Sequence, residues 1–412
     1  MVFATFSVAA QTTKIEPSHI QAIDTTQSLE ATFAFIAEEI GDSRIVGLGE
    51  QTHTPDVSFT IRAKLVEYLI EHQGFEVILF EAGMFDLHVA AANAIEQKDI
   101  TELQDALYGF WGNTAFHNRL FTYLQSQLDA CEDIAFAGFD SKLTSRQVAT
   151  TDVYSKMLAH ELSSAGVATT SDEYVEYLNT WQAIEESRKQ GGIHALVFPM
   201  SNEEKERFLH LSDFFQKKLT AAGNRYWSRM ISGIDESIAV YSDFSMEKVQ
   251  ADPSIMLQIN NKRDSLMADN LQYLLEETYK DKKVILIGAS YHFVRNVDKI
   301  TPSTVMGLDF SKSVTTGQII NDRLDEKVFT IGFMAPAEYS CGDNTQGKTT
   351  TLGCLQQQAG YPIAYHPLHK WNLKEEDASQ QQVIPLFMPQ SPSQHANWNE
   401  VIDAVVFINK SH

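Results

Sequence analysis

Three things are scarce in this sequence, and each scarcity narrows the field. Positive charge is the first. Lys and Arg number 32 against 54 Asp and Glu, giving a formal net charge of −22. Binding nucleic-acid phosphates needs a basic footprint, and none is visible, so nucleic acid is not an expected partner. The acid excess favours solubility and disfavours anionic membrane surfaces, but carries no information about fold. Long apolar runs are the second. None approaches the roughly 20 residues of a bilayer crossing, so no membrane span is expected. Cysteine is the third, with three residues in 412. No CxxC spacing suggests structural zinc. Cys131 precedes the apolar run "IAFAGFD" and reads as an inert buried thiol. Cys341 and Cys354 bracket the turn-rich "GDNTQGKTTTLG"; a disulfide there would clip a loop and fit an oxidising compartment, two unpaired thiols being the alternative. Repeats of 20–50 residues are also missing, which removes solenoids and propellers.

The first 20 residues begin "MVFATFSVAAQTT", apolar and then small and polar. They read as the tail of a secretory signal whose basic segment is missing, which would place the protein in the periplasm or outside the cell. A frayed apolar N-terminus on a cytoplasmic protein is the alternative.

What is present is a rhythm. "RIVGLGE" (44–50), "EVILFEAG" (76–83), "IAFAGFD" (134–140), "KVILIGAS" (283–290) and "VFTIGFMA" (328–335) are short, β-rich and apolar on both faces, as strands covered by helices must be. Amphipathic segments at about 57–73, 84–97 and 114–130 lie between them. The alternation predicts an α/β fold, a mostly parallel or mixed central sheet flanked by helices. Residues 142–280 differ: they lack a strand series and are rich in Glu, Lys, Gln and aromatics. They read as a helical insertion, a lid or cleft wall, dividing an α/β catalytic domain into 21–141 and 281–412. After 336 the chain is rich in turns, and regular structure is hard to assign.

The strands share a further property. The first ends in Glu50, with His53 three residues on. The second carries Glu81 near its end, the third ends in Asp140, and the fourth runs into Ser290, Tyr291 and His292. Ligands of open α/β sheets bind beyond the carboxyl ends of the strands, and parallel strands would bring these groups to one edge. Arg62 joins them. It falls on the apolar stripe of the helix that holds Phe59, Val66, Leu69 and Ile70, where a guanidinium needs an anionic partner such as Glu50 or Glu81. The alternative is a solvated arginine at the edge of the stripe.

"GLGEQTH", Arg62 nine residues after His53, and "GFEVILFEAG" together resemble the erythromycin esterase family. "YGFWGNTAFHNRLFTYLQ", "FAGFD", "RDSLMADNLQYLL" and "VILIGASYHFVRN" resemble further segments of that family, in order, over roughly residues 40–335. The resemblance implies metal-independent hydrolysis of a small-molecule ester or lactone by activated water, without a cofactor. Carried over by position, His53 would be the general base and Glu50 would orient it. Arg62 and Glu81 would shape the site and help stabilise developing charge, and His292 would be the second histidine. Asp140, Ser290 and Tyr291 would line the substrate. One departure bears on substrate: macrolide-cleaving members carry His-Asn-x-His in the late motif, where this chain has Ala289-Ser290-Tyr291-His292. One histidine remains, which disfavours a large macrolide.

The chemistry is reasonable in its own right. A base near the working pH is needed to activate water, and histidine starts there. Three rivals stand beside this reading. "GASYH" resembles the G-x-S-x-G elbow with its last glycine replaced, which would make Ser290 a nucleophile served by Asp309 and His366 or His369. Glu50, His53, Glu81 and His292 would also suit a divalent metal. Finally, a non-catalytic binding protein could keep the same pocket. His72, near a helix end, reads as structural; His88, His160, His194 and His210 show no partner pattern. His117 lies in a family-like segment, and Trp111, Trp181 and Trp227 read as core or cleft wall.

Overall fold

The computed structural model describes residues 20–51, 57–108, 115–143, 153–191, 200–241, 246–252, 254–301, 304–305, 308–324, 326–334, 356, 359–370 and 396–408. His53, Trp111, His194, Cys341, Cys354 and residues 1–19 lie outside the described residues, as does the side chain of His117.

The strands are β1 (Gln21–Ala22), β2 (Ile45–Glu50), β3 (Val77–Gly83), β4 (Ala135–Asp140), β5 (Val284–Ala289), β6 (Thr304–Val305), β7 (Leu308–Asp309), β8 (Val328–Met334), β9 (Ile363–His366) and β10 (Ala404–Ile408). Eight form one mixed sheet in the order β1-β9-β10-β8-β2-β5-β3-β4, and β6 and β7 pair separately. The six strands from β10 to β4 are parallel, while β9 runs antiparallel to both neighbours. All five segments expected as strands are strands. Those the sequence did not reveal, β1, β9 and β10, build the far edge.

Side-chain parity divides the core into two layers. Val46, Leu48, Ile78, Phe80, Phe136, Ile285 and Ile287 face one layer, with α1 (Leu29–Ile40), α2 (Val57–Gln73) and α5 (Ala115–Asp129). Ile45, Val77, Leu79, Ala137, Phe139, Val284 and Leu286 face the other. That second layer is helical sequence lying between β4 and β5: α6 (Val153–Ser164), α7 (Asp172–Gly191), α8 (Asn202–Ala221), α9 (Arg225–Tyr241) and α11 (Ser254–Tyr273). The aromatic-rich stretch therefore supplies half of the sheet's cover. Trp181 and Trp227 are buried in it.

Parity also fixes where the charged ends point. Glu50 continues the Val46–Leu48 face and so meets α2. Glu81 continues the Val77–Leu79 face and so meets α11. Between Phe80 and Gly83, β3 carries one extra residue relative to β4, and its ladder with β5 stops at Phe80. Glu81 takes over there: its Oε2 accepts from the Ala289 N–H of β5 at 2.8 Å. The neighbouring Gly288 permits this, because a Cβ on it would lie 2.9 Å from Glu81 Cβ. The irregularity thus re-aims a carboxylate across the sheet edge.

Cys131 is exposed rather than buried. Helix α5 ends at Asp129, and Cys131 turns the chain in the left-handed region (φ 60°), which points its thiol outward to Lys98 Nζ at 3.2 Å.

Gly138 lies opposite Phe80 at this irregularity, and a Cβ there would run into the carbonyl oxygens of Ala82 and Gly83. Backbone cannot yield as a flexible side chain can. Gly138→Ala should therefore destabilise the protein by about 1–3 kcal/mol. Denaturant unfolding would show this, and an unchanged midpoint would mean that β3 relaxes freely here.

Candidate active site

The carboxyl edge of the sheet carries two buried carboxylate–guanidinium systems. On the α2 face, Arg62 Nη2 donates to Glu50 Oε2 at 2.8 Å with both side chains 1% exposed. The guanidinium also lies 4.9 Å from the Phe59 ring centroid. The partner of Arg62 is thus Glu50, and the solvated alternative does not hold.

The second system is larger and centres on Arg263 of α11. Its Nη2 donates to Glu81 Oε1 at 2.8 Å and to Asp140 Oδ2 at 2.6 Å, and its Nε reaches the same Asp140 oxygen at 3.1 Å. Tyr108 donates its hydroxyl to Asp140 Oδ2 at 2.7 Å from the opposite face. His292 lies in α12 (Ser290–Phe293), the short turn that follows β5. Its Nδ1 is 2.9 Å from Asp264 Oδ1, and its Nε2 is 3.0 Å from Arg263 Nη1 and 3.3 Å from Glu81 Oε1. Asp264 is itself fixed: it accepts from the Thr316 N–H at 2.8 Å and the Thr316 hydroxyl at 2.9 Å.

The charges set one another. Burial opposes ionisation of Glu81, but His292 and Arg263 outweigh it and hold the carboxyl well below its ordinary range. Asp140 is lowered in the same way, burial being overcome by Arg263 and Lys142. Burial would strip the proton from His292, yet Asp264 and Glu81 prevail and push it up to about 9. Nε2–H then faces Glu81; a neutral ring would instead accept from Arg263. Charge balance favours the imidazolium, since three carboxylates (Glu81, Asp140, Asp264) face Arg263 and Lys142. A histidine held charged this way is a donor and a cation, and poorly suited to accept a proton from water at neutral pH.

The profile of the erythromycin esterase family matches residues 70–410. The chain belongs to the erythromycin esterase family. Among relatives, YbfO of Bacillus subtilis (strain 168), described as a presumptive hydrolase, is 23% identical over 363 residues, 85% of this chain and 79% of its own length. A Bacillus cereus protein of known structure superposes with a TM-score of 0.66 at 16% identity over 95% of both chains. A mutant of the erythromycin esterase EreC in its open conformation gives 0.63 at 16% identity, covering 94% of this chain and 97% of that one. Family and relative together support a hydrolase, and the solved structures show the same fold.

The esterase-family match begins after Glu50, His53 and Arg62 and spans Glu81, Asp140, Arg263, Asp264 and His292. Of the residues singled out by sequence, Glu81, Asp140 and His292 meet in one network, and Glu50 and Arg62 form the other. Ser290 is fully buried, and among the described residues its Oγ has no hydrogen-bond partner. It packs on Gly49, where a Cβ would approach Ser290 Cα to 2.7 Å. Tyr291 is half-buried and leans toward Phe310. Because β9 runs antiparallel, His366 lies at the amino edge, beside Val405 near the start of β10. His369 follows there, bonded to Glu39. Neither serves Ser290, and Asp309 is occupied by Ser311 and Lys312. Among the described residues, no group of three or more His, Cys, Asp and Glu is arranged to hold a metal ion.

Sequence reasoning missed Arg263, Asp264, Tyr108 and Thr316. A signal existed for Asp264, which shares the buried stripe of Met267, Ala268 and Leu271 at helical spacing. A carboxylate in an apolar stripe asks for a partner just as Arg62 did.

The raised His292 pKa makes a testable statement. Its charged form contributes stability that is fully present below 6.5 and is lost as pH rises through about 9. Nitrogen-15 histidine NMR should find His292 charged at pH 7, and Asp264→Asn should bring its titration down toward neutrality. A His292 titrating at or below 6.5 in the native chain would refute the charge assignment.

Proposed function

We propose that this protein hydrolyses a carboxylic ester or lactone with a water molecule activated by His53. The observation that carries this reading is the buried His292–Glu81–Arg263 cluster at the carboxyl edge of the sheet. It supplies cations and N–H donors that are already oriented and already desolvated, the arrangement that stabilises a developing oxyanion.

The division of labour follows from charge. His292, held as an imidazolium, leaves the role of base to another group. His53, three residues beyond Glu50 in sequence, takes that role by its place in the family-like "GLGEQTH" motif. In the proposed reaction His53 takes a proton from water as the oxygen attacks the acyl carbon. The oxyanion that forms is stabilised by the Arg263–His292 side of the site. It collapses with cleavage of the C–O bond, and the proton returns to the departing alkoxide. General-base help contributes about 10²–10⁴ in rate. One oriented oxyanion donor adds about 10²–10³.

Two features support water over serine and a metal-free site. Among the described residues, no base accepts a hydrogen bond from Ser290 Oγ, as a nucleophilic serine requires. Glu81 and His292 are bonded to Arg263, Ala289 and Asp264, and Glu50 to Arg62, so these donors are already committed to cations and N–H groups. The late motif's single histidine leaves the site one polar group short of the macrolide-cleaving pattern, which favours smaller lactones and esters.

His53→Ala should abolish hydrolysis of small lactones and esters. Ser290→Ala should keep most of it without a burst phase, since no described residue bonds the lost oxygen. Chelator treatment should leave the rate unchanged. A Ser290→Ala variant inactive on every ester the native chain cleaves would move the chemistry to that serine. Activity lost together with stoichiometric zinc would favour a metal hydrolase. A chain inert on all esters yet holding a small molecule tightly would be a binding protein.

A further inference from the structure

Lys142 stands two residues beyond Asp140, at the same edge of the sheet, and the reaction proposed above gives it no role. Its position is built. The Lys142 N–H donates to Asp140 Oδ1 at 3.2 Å, and its carbonyl packs so closely on Gly83 that no Cβ would fit there. The side chain is half-buried, and its ammonium lies 4.6 Å from the centroid of the Tyr241 ring on α9. Among the described residues, no carboxylate, carbonyl or hydroxyl accepts a hydrogen bond from it. The carboxylates around it are spent, Asp140 and Glu81 on Arg263 and Asp264 on His292 and Thr316. Burial and the positive charge of Arg263 push its pKa down to about 8, against the pull of Asp140, Glu81 and Asp264.

A lysine ammonium carries three donors, and an aromatic face satisfies none of them fully. Partial burial limits how many waters can do so. A ligand oxygen that arrives with negative charge would complete the shell, since charge-assisted hydrogen bonds are the strong ones. The protein's net charge of −22 repels anions at long range, but that field is screened beyond about 8 Å at physiological ionic strength, so recognition of an anion must be local.

We propose that Lys142 is the recognition group for a carboxylate carried by the substrate, so that the ester or lactone cleaved is an acidic one. This assignment rests on the hydrolytic reading above. Hydrolysis also releases a carboxylate from any ester, and binding of that product alone is the competing source of the same chemistry.

Thermal melting of the full chain with monomethyl glutarate, methyl butyrate and butyrate separates these cases, alongside turnover of 4-nitrophenyl hydrogen glutarate and 4-nitrophenyl butyrate. Monomethyl glutarate should raise the melting temperature of the native chain, with methyl butyrate giving none of that shift. Lys142→Met, which keeps the packing on Tyr241, should remove it, and Lys142→Arg should restore part. The ratio of kcat/KM for the acidic over the neutral nitrophenyl ester should fall about tenfold or more in Lys142→Met, the loss expected for one hydrogen bond to a charged group. Butyrate stabilising as well as monomethyl glutarate would overturn the proposal in favour of product binding. An unchanged ratio in Lys142→Met, with both esters cleaved by the native chain, would overturn it while hydrolysis stands. A native chain that cleaves neither ester but binds monomethyl glutarate through Lys142 would sink the hydrolytic reading and keep the carboxylate site.

Discussion

A guanidinium inside a protein must be neutralised where it lies, and Arg263 imposes that demand on the whole carboxyl edge of the sheet. Its side chain is only 12% exposed. Taking such a charge from water costs several kcal/mol, returned only through well-placed partners, and removing one partner typically costs about 3–5 kcal/mol. The partners come from far apart in sequence: Glu81 from β3, Asp140 from β4 and Tyr108 from the opposite layer. To join them, β3 and β4 must be neighbours, β3 must carry its extra residue, and α11 must lie against β4. Arg263 therefore locks α11 to β3 and β4. Once that lock exists, Glu81 and Asp264 frame His292, and its charge follows.

The opposite edge shows that residue type alone does not make a site. Asp403, ahead of β10, pairs with Arg295 at 3.0 Å and Lys327 at 2.8 Å, and His369 pairs with Glu39 at 2.9 Å. These are carboxylates, cations and an imidazole, as at the carboxyl edge. Here, however, Asp403 also accepts from the Thr330 N–H at 2.9 Å, acting as a brace between neighbouring strands. His366 is buried with its pKa pushed down to about 3 by burial, so it stays neutral. Strand direction separates the two edges, and the reversal of β9 sends both late histidines to the bracing side.

How much of this was legible follows from the range of each signal. The parallel strands were readable because each is a short apolar run buried on both faces, a property of consecutive residues. Arg62 stood out as a charge in an apolar stripe, again a local pattern. The strands β1 and β9 escaped because one has two residues and the other four, and β1 pairs with β9 from the far end of the chain. Lys142 left no trace, because its position depends on the chain crossing Gly83 and on α9 bringing Tyr241 over it. The missing actors at the site are those whose meaning is three-dimensional.

The opening strand, ending in a carboxylate with a histidine close behind, acquires its physical sense from parity. Glu50 of β2 and Glu81 of β3, parallel strands that flank β5, point to opposite faces, so each meets a guanidinium from a different helical layer, Arg62 on one side and Arg263 on the other. Each guanidinium is thus matched by carboxylate, Arg62 by Glu50 and Arg263 by Glu81 and Asp140, so neither leaves a strong uncompensated field. What remains among the described residues is short-range: fixed N–H groups, the His292 imidazolium and the Lys142 ammonium, which rests on the Tyr241 ring without a hydrogen-bond acceptor. A substrate that is neutral at its acyl carbon can approach such a surface without displacing an ion. It meets unscreened positive charge only when its own oxygen becomes negative. Donors that are oriented before reaction and matched late to charge lower a barrier without deepening the ground state. In the proposed reaction, the sheet edge would reward the charge that a hydrolytic intermediate develops.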